Sequence, residues 1–169
     1  MSHLLFLDES GTDQKQMPYE VHGGVVIPMY HAWDVIRSIR DAEARLFGSP
    51  LTRFGLEVKG ERLLQRRVFQ FAEGRNKKNP EIPPPDFVDD EDRRKNAFSF
   101  LEKGSARQTP TARKFRAYGL SCLELVDDIF QICEKNRVSI LAAVVDLGAP
   151  VAACCRVVGN APQRLCVLI

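Results

Sequence analysis

Two short apolar runs, each ending at an aspartate, constrain the fold of this chain more than any other feature. Residues 4–7 (LLFL) run into Asp8, and residues 139–145 (SILAAVV) run into Asp146. Apolar runs of this length, bounded by turn residues, are typical of strands buried within a sheet. We therefore expect both runs to be adjacent buried strands of one sheet, with an aspartate at the end of each.

The segments between these runs predict further strands and helices. Residues 19–27 indicate a second strand paired with the first, in which Gly23 and Gly24 suggest a bulge or a close backbone approach. Apolar side chains at helical spacing predict helices over residues 31–47, 61–73 and 112–136, and a weaker helix over 95–103. This order predicts an α/β or α+β domain with a mixed sheet.

The length of 169 residues suits a single domain. Residues 74–95 differ from the rest, since prolines are followed by an acidic and then a basic stretch, and they predict an exposed insertion. Beyond residue 146 the chain has no acidic residue. We therefore predict a domain over residues 1–148 and an atypical tail over 149–169.

Composition and cysteine placement indicate the compartment. No run of about 18 apolar residues is present, so we expect no membrane span. The first residues lack a basic leader before Asp8, which predicts a cytoplasmic protein. The five cysteines form no CxxC pair, and Cys122 and Cys133 stand among apolar residues, which predicts small buried side chains in a reducing compartment.

Asp8 and Asp146 are the strongest candidates for chemistry. Two carboxylates at the ends of adjacent strands repel each other unless a cation lies between them. Carboxylate oxygens are the ligands that Mg²⁺ and Mn²⁺ prefer, so the pair predicts a divalent metal site to which Glu57 would add a third ligand. The alternative is structural, because aspartates at strand ends often start turns or cap helices.

Lys59 belongs with Glu57, because residues two apart in an extended segment point to the same face. A carboxylate and an amine on one face would bind a metal ion and a phosphate together. The alternative is an ordinary surface ion pair, which contributes little to stability.

A basic segment before the last predicted helix is the best candidate for phosphate contacts. Overall charge does not indicate a nucleic-acid-binding protein, since 24 basic residues face 22 acidic ones. However, no acidic residue lies between positions 103 and 116, so the positive charge of this segment is not offset within the sequence. The candidate residues are Lys103, Arg107, Arg113, Lys114 and Arg116. The alternative is a solvated charged face.

Four sequence elements together resemble the domain of unknown function 3800 family of bacteria and phages. The elements are, in chain order, residues 7–11 (LDESG), 23–27 (GGVVI) and 57–60 (EVKG), and the strand that ends at Asp146. The resemblance covers residues 3 to about 148. It implies a ribonuclease H-like fold, a mixed sheet flanked by helices, and a metal-dependent nuclease.

The resemblance also implies roles for the candidate residues. Asp8 would bridge two Mg²⁺ or Mn²⁺ ions, Asp146 and Glu57 would complete the site, and Lys59 would orient the scissile phosphate of DNA or RNA. Family members usually continue into a further helix with an acidic residue, where this chain has its acid-free tail. We therefore expect a fold that is incomplete at the C-terminus, and an activity that is lost if the last carboxylate is missing.

Two other functions stay open. One is a non-catalytic module of the same fold that binds a nucleic acid or a protein. The other is a small-molecule hydrolase that uses the same carboxylates within an enclosed apolar pocket. The nuclease requires Asp8 and Asp146 within about 4–6 Å of each other, near the spacing of two-metal sites. The binding module has no such requirement.

Overall fold

The structure is a computed structural model that describes residues 2–10, 19–74, 86–146 and 156–157. The chain forms two compact units: a sheet unit of residues 1–34 and 133–169, and a helical unit of residues 35–132. Both boundaries fall inside helices that the sequence predicts as continuous. Most of the predicted tail, and residues 75–85 of the predicted insertion, lie outside the described residues.

The described residues of the sheet unit form four strands in the order β1-β2-β3-β4. Their bounds are β1 His3–Ser10, β2 Tyr19–Pro28, β3 Ser139–Asp146 and β4 Arg156–Val157. The pairing of β1 with β2 confirms the prediction that the first two strands pair. Every pairing among the described strands is antiparallel, so the expected mixed sheet is wrong there. The chain is α+β, as expected.

Gly24 lets the side chains of β1 lie across the backbone of β2. A Cβ at this position would stand 2.8 Å from Leu7 Cδ2 and 3.5 Å from Leu5 Cδ1. The register runs without interruption through Gly23 and Gly24, so the strand has no bulge there. Gly24 therefore marks a close approach, which is one of the two alternatives that the sequence left open.

Among the strands that the structure describes, β1 lies at the edge of the sheet, and its apolar side chains are exposed. Leu5, Phe6 and Leu7 are 54%, 56% and 70% exposed. Because successive side chains alternate between faces, Leu5 and Leu7 lie on one face of the sheet and Phe6 on the other. The expectation of a buried central strand is therefore wrong for β1, because a run of apolar residues does not specify which elements cover it.

In the described part of the chain, five α-helices lie wholly or mostly in the helical unit. Their bounds are α1 Ala32–Phe47, α2 Gly60–Leu63, α3 Arg66–Ala72, α4 Asp90–Ser105 and α5 Ala112–Lys135. The predicted helices over 31–47 and 112–136 are confirmed within two residues at each end. The helix predicted over 61–73 is divided between α2 and α3, because Gln65 has an extended backbone with φ −61° and ψ 143°.

Helix α4 begins five residues earlier than the sequence predicts. Asp89 caps it, since its carboxylate accepts a hydrogen bond of 2.7 Å from the backbone N–H of Asp92. Three acidic residues then fill the first turn, where their negative charges stabilise the helix by interacting with the positive end of its dipole. Residues 90–95 therefore belong to a helix, which corrects the predicted extent of the insertion at that end.

The core of the helical unit is formed by apolar side chains from all five helices. The fully buried Phe47, Cys122 and Leu125 lie at its centre. The other buried members are Ala42, Leu46, Leu51, Leu63, Val68, Ala97, Leu101 and Ala117. Half-buried aromatic rings extend this core, with Phe100 stacked on Tyr118 at a centroid distance of 4.2 Å and against Phe115 at 5.1 Å.

Helices α3 and α5 make backbone contact at Gly119. A Cβ on Gly119 would stand 2.5 Å from the backbone nitrogen of Ala72 and 2.8 Å from the carbonyl oxygen of Val68. Both contacts are with backbone atoms, which do not move aside as a side chain does. Glycine is therefore required at this position by the packing of two helices and not by its backbone conformation.

Candidate functional site

The sheet register separates Asp8 from Asp146. Asp8 lies opposite Gly23 of β2, whereas Asp146 lies opposite Tyr19, four positions away along the same strand and on its other side. With about 3.4 Å per residue and about 4.8 Å between strands, the two Cα atoms are roughly 16 Å apart. The expectation that the two aspartates end adjacent strands is therefore wrong, because β2 lies between β1 and β3.

This separation does not fit a metal ion shared by Asp8 and Asp146. Two-metal sites hold their ions about 3.5–4 Å apart. Two aspartate side chains are too short to reach such closely spaced ions from Cα atoms this far apart. In the part of the chain that the structure describes, no group of three or more His, Cys, Asp or Glu residues is placed to hold a metal ion. Asp8 and Glu57 of the predicted set are both exposed. The role of Asp8 in binding a metal ion stays a prediction.

Glu57 and Lys59 form a solvent-exposed ion pair in the helical unit. Lys59 Nζ lies 2.8 Å from Glu57 Oε2, and the two side chains are 60% and 68% exposed. The hydrogen bond from Lys59, together with its charge, lowers the pKa of the Glu57 carboxyl. The sequence prediction that the two side chains share one face is confirmed. Their contact matches the surface ion pair that was the alternative interpretation.

The basic segment before α5 is offset by acidic residues from another part of the chain. Arg113 pairs with Asp92 at 2.5 Å, and Arg116 pairs with Asp86 at 2.9 Å. Hydrogen bonds from the backbone of Val88 and from Arg113 hold the pKa of Asp92 below its ordinary value. The interpretation of this charge as uncompensated is therefore wrong for the two arginines, because the acids lie more than twenty positions earlier in the chain.

The remaining members of the basic segment have different surroundings. Lys114 Nζ donates a hydrogen bond of 2.6 Å to Ser99 Oγ. Desolvation, and next the nearby charge of Lys103, lower the pKa of Lys114. Arg107 is exposed and has a left-handed backbone, with φ 54°, just after the end of α4. Lys103, Arg107 and Lys114 stay the candidates for an anion contact in this segment.

Two buried or half-buried acids that the sequence analysis did not select have clear structural roles. Glu124 of α5 contacts Arg45 of α1 at 2.7 Å and Arg93 of α4 at 2.6 Å. Glu43 of α1 is only 5% exposed, and burial raises the pKa of its carboxyl. The sequence contained a signal for Glu43, which is an isolated acid on the apolar face of a predicted helix, next to the core residue Ala42.

The surface depressions in the helical unit are shallow and largely charged. One is lined by Asp86, Phe87, Asp89, Asp90, Arg93, Arg116 and Leu120. The guanidinium of Arg113 lies 5.4 Å from the Phe87 ring centroid, and that of Arg116 lies 5.9 Å from it. This depression is open to solvent and so differs from the enclosed apolar pocket that a small-molecule hydrolase would use.

Comparisons with known proteins give no match: no family model, no curated protein and no solved structure matches this chain. Among the described helices, none is both long enough and apolar enough to cross a bilayer.

Proposed function

We propose that this chain is a non-catalytic binding module that recognises proteins through the edge of its sheet. The observation that carries the proposal is the exposure of Leu5, Phe6 and Leu7 on the edge strand β1. Single exposed apolar residues are ordinary on a protein surface, whereas three in a row on an edge strand form a contact surface. Apolar side chains then project from both faces of the sheet at the same edge.

An edge strand offers two kinds of contact at once. Its outward backbone N–H and C=O groups provide a row of hydrogen bonds to an added strand, which supply affinity. The side chains on alternating faces supply specificity, with Leu5 and Leu7 on one face and Phe6 on the other. This arrangement favours an extended apolar segment as the binding partner.

A protein partner is favoured over a nucleic acid by the charges. Arg113 and Arg116, which would supply phosphate contacts, already pair with Asp92 and Asp86. A phosphate at these two arginines would have to displace their carboxylates, and this reduces the electrostatic gain that they could give to nucleic-acid binding.

Selection of displayed peptides tests this function. Phage that display random decapeptides are selected for binding to the full chain. Phage that also bind the Leu7→Lys variant are then removed, because a lysine on the edge strand blocks the addition of another strand. We expect apolar, alternating peptides that bind the unchanged protein and the control Val88→Lys. Val88 is exposed and apolar but lies outside the sheet. Failure to recover any peptide that distinguishes the two variants would refute the proposal.

A metal-dependent nuclease of ribonuclease H-like fold is the second candidate. The observation in its favour is the exposed Asp8 on a sheet strand, within the four sequence elements that resemble the domain of unknown function 3800 family. The proposed ions are Mg²⁺ or Mn²⁺, and the proposed substrate is DNA or RNA. No catalytic step is assigned to the ions, since the register separates Asp8 from Asp146.

Cleavage of fluorescent DNA and RNA oligonucleotides with either ion tests the second candidate. A nuclease would lose its cleavage in Asp8→Asn and keep it in Asp41→Asn, a matched change at an exposed helical position. Cleavage that survives Asp8→Asn would point to a contaminating enzyme. No cleavage by the unchanged protein with either ion would remove this candidate.

A further inference from the structure

We infer that the partner of β1 is β1 of a second copy of this chain, paired antiparallel about a two-fold axis. The inference rests on the proposed function and names its partner. Strand β1 ends the strand order of the described sheet, with β2 on one side. A two-fold axis beside β1 would join the sheets of two chains into one, and a contact of this type uses the same surface from both copies.

The sequence of β1 is self-complementary in the antiparallel direction. Leu5 and Leu7 stand on either side of Phe6, while the acidic residues Asp8 and Glu9 lie only in the second half of the strand. When Phe6 lies opposite Phe6 of the copy, each Leu5 lies opposite a Leu7 of the copy. The acidic half of one strand then faces the half of the other that begins at His3.

The charges select the antiparallel direction over the parallel one. A parallel pairing in register would bring Asp8 next to Asp8 of the copy, and like charges directly opposite each other are destabilising. In the antiparallel pairing with Phe6 opposite Phe6, Asp8 lies opposite Leu4 of the copy and not opposite another Asp8. The net charge of the chain is only +2, so overall repulsion between two copies is small.

The size of the surface predicts a weak dimer. Three exposed side chains and one strand edge bury less than the roughly 1,200–2,000 Å² of a stable complex. Both faces of the sheet nevertheless contribute, because Leu5 and Leu7 meet on one face and the two Phe6 rings on the other. We therefore expect a dimer whose population rises with concentration in the micromolar range.

Sedimentation of the full chain tests the inference. Protein from about 1 to 200 µM, which brackets weak affinities, should shift from monomer to dimer. Leu7→Lys should raise the dimer dissociation constant by more than about tenfold, because each new charge would be taken out of water at the strand edge. Val88→Lys makes the same change outside the sheet and should leave the dimer unchanged. Unchanged circular dichroism and melting temperature would verify that both variants fold.

Hydrogen exchange supplies an independent readout of the same contact. Peptides that cover residues 2–10 should gain protection as concentration rises, because the outward amides of β1 then form hydrogen bonds to the copy. The same peptides of Leu7→Lys should show no such gain. The inference is supported if protection of these peptides rises with concentration in the unchanged chain but not in Leu7→Lys.

Three results would overturn it. A monomer at every concentration would end the proposal of self-pairing, while peptide binding at β1 would still decide the proposed function separately. A dimer that persists in Leu7→Lys would mean that the copies meet at another surface. Protection of β1 at all concentrations would mean that another segment of the same chain occupies the edge.

Discussion

The Arg45 guanidinium of α1 donates a hydrogen bond of 2.7 Å to the Glu124 carboxylate of α5, 79 positions away in the sequence. The other oxygen of the same carboxylate lies 2.6 Å from Arg93 of α4. Glu124 therefore connects three helices of the helical unit. The Glu124 and Arg93 side chains are partly shielded from solvent, so their contact is screened less than that of an exposed pair.

Replacing Glu124 should destabilise the helical unit. Glu124→Gln removes the carboxylate charge that Arg45 and Arg93 both contact. We expect a loss of about 1 kcal/mol in the free energy of unfolding at pH 7. Denaturant titration measures this loss. Asp127→Asn, a change at an exposed position on the same helix, is the control and should have little effect.

The contribution of Glu124 should also depend on pH. Burial opposes ionisation of this carboxyl, but the hydrogen bond from Arg45 and the charge of Arg93 outweigh it and lower its pKa below 4.5. A lowered pKa in the folded state stabilises the protein above the unfolded value and is lost as pH falls through the folded value. The difference in stability between the unchanged chain and Glu124→Gln should therefore shrink below about pH 4.5. A constant difference down to pH 2 would contradict this assignment.

Glu43 should show the opposite dependence on pH. Burial raises the pKa of this carboxyl above 4.5, and its Oε1 atom has no hydrogen-bond partner among the described residues. The folded state then binds the proton more tightly, so the free energy of unfolding falls as pH rises from about 4.5 towards the raised pKa. Glu43→Gln should remove this decline and raise stability at pH 7, as measured by denaturant titration at several pH values.

A matched control for Glu43 is Glu61→Gln, in an exposed position of α2. This change should leave the dependence of stability on pH unaltered. If Glu43→Gln were less stable than the unchanged chain at every pH, the ionised carboxylate would be stabilising and the assignment would be wrong.

Gly119→Ala should strongly destabilise the contact between α3 and α5. The new methyl group would meet the backbone of Ala72 and Val68 at 2.5 and 2.8 Å, so the helices must separate, at a cost of about 1–3 kcal/mol or more. Gly104→Ala is the control, because a Cβ at Gly104 in α4 meets no atom within 4 Å. There the helix propensity of alanine should stabilise the protein by about 0.5–1 kcal/mol. Thermal melts that showed equal effects for both changes would contradict the close packing.

Cys122 should resist chemical labelling in the native protein. Burial is the main cause that raises the pKa of this thiol to about 12, so almost no thiolate exists at pH 8. Cys133 is half-buried and its pKa is raised by the same cause, so it should react faster than Cys122. Mass spectrometry after treatment with iodoacetamide would compare the two sites. Rapid labelling of Cys122 without unfolding would show that the helical core opens readily.

The local pattern of the chain was sufficient for most helices and strands. The apolar spacing of α1 and α5 predicted both helices, since a helical period is a property of residues close together in sequence. The pairing of β1 with β2 was also predicted, because the two strands are neighbours along the chain. The early start of α4 depends on the cap at Asp89, a local signal that the prediction did not use.

The sequence by itself determined most of the helices and strands, and that Glu57 and Lys59 share a face. Only the tertiary structure decided which strands are neighbours, and it placed β2 between Asp8 and Asp146. It likewise decided that Arg113 meets Asp92. These relationships join residues that are far apart in sequence, and no local periodicity encodes them. Strand order and ion pairs arise when the whole chain packs, and here an apolar strand lies at the edge of the described sheet.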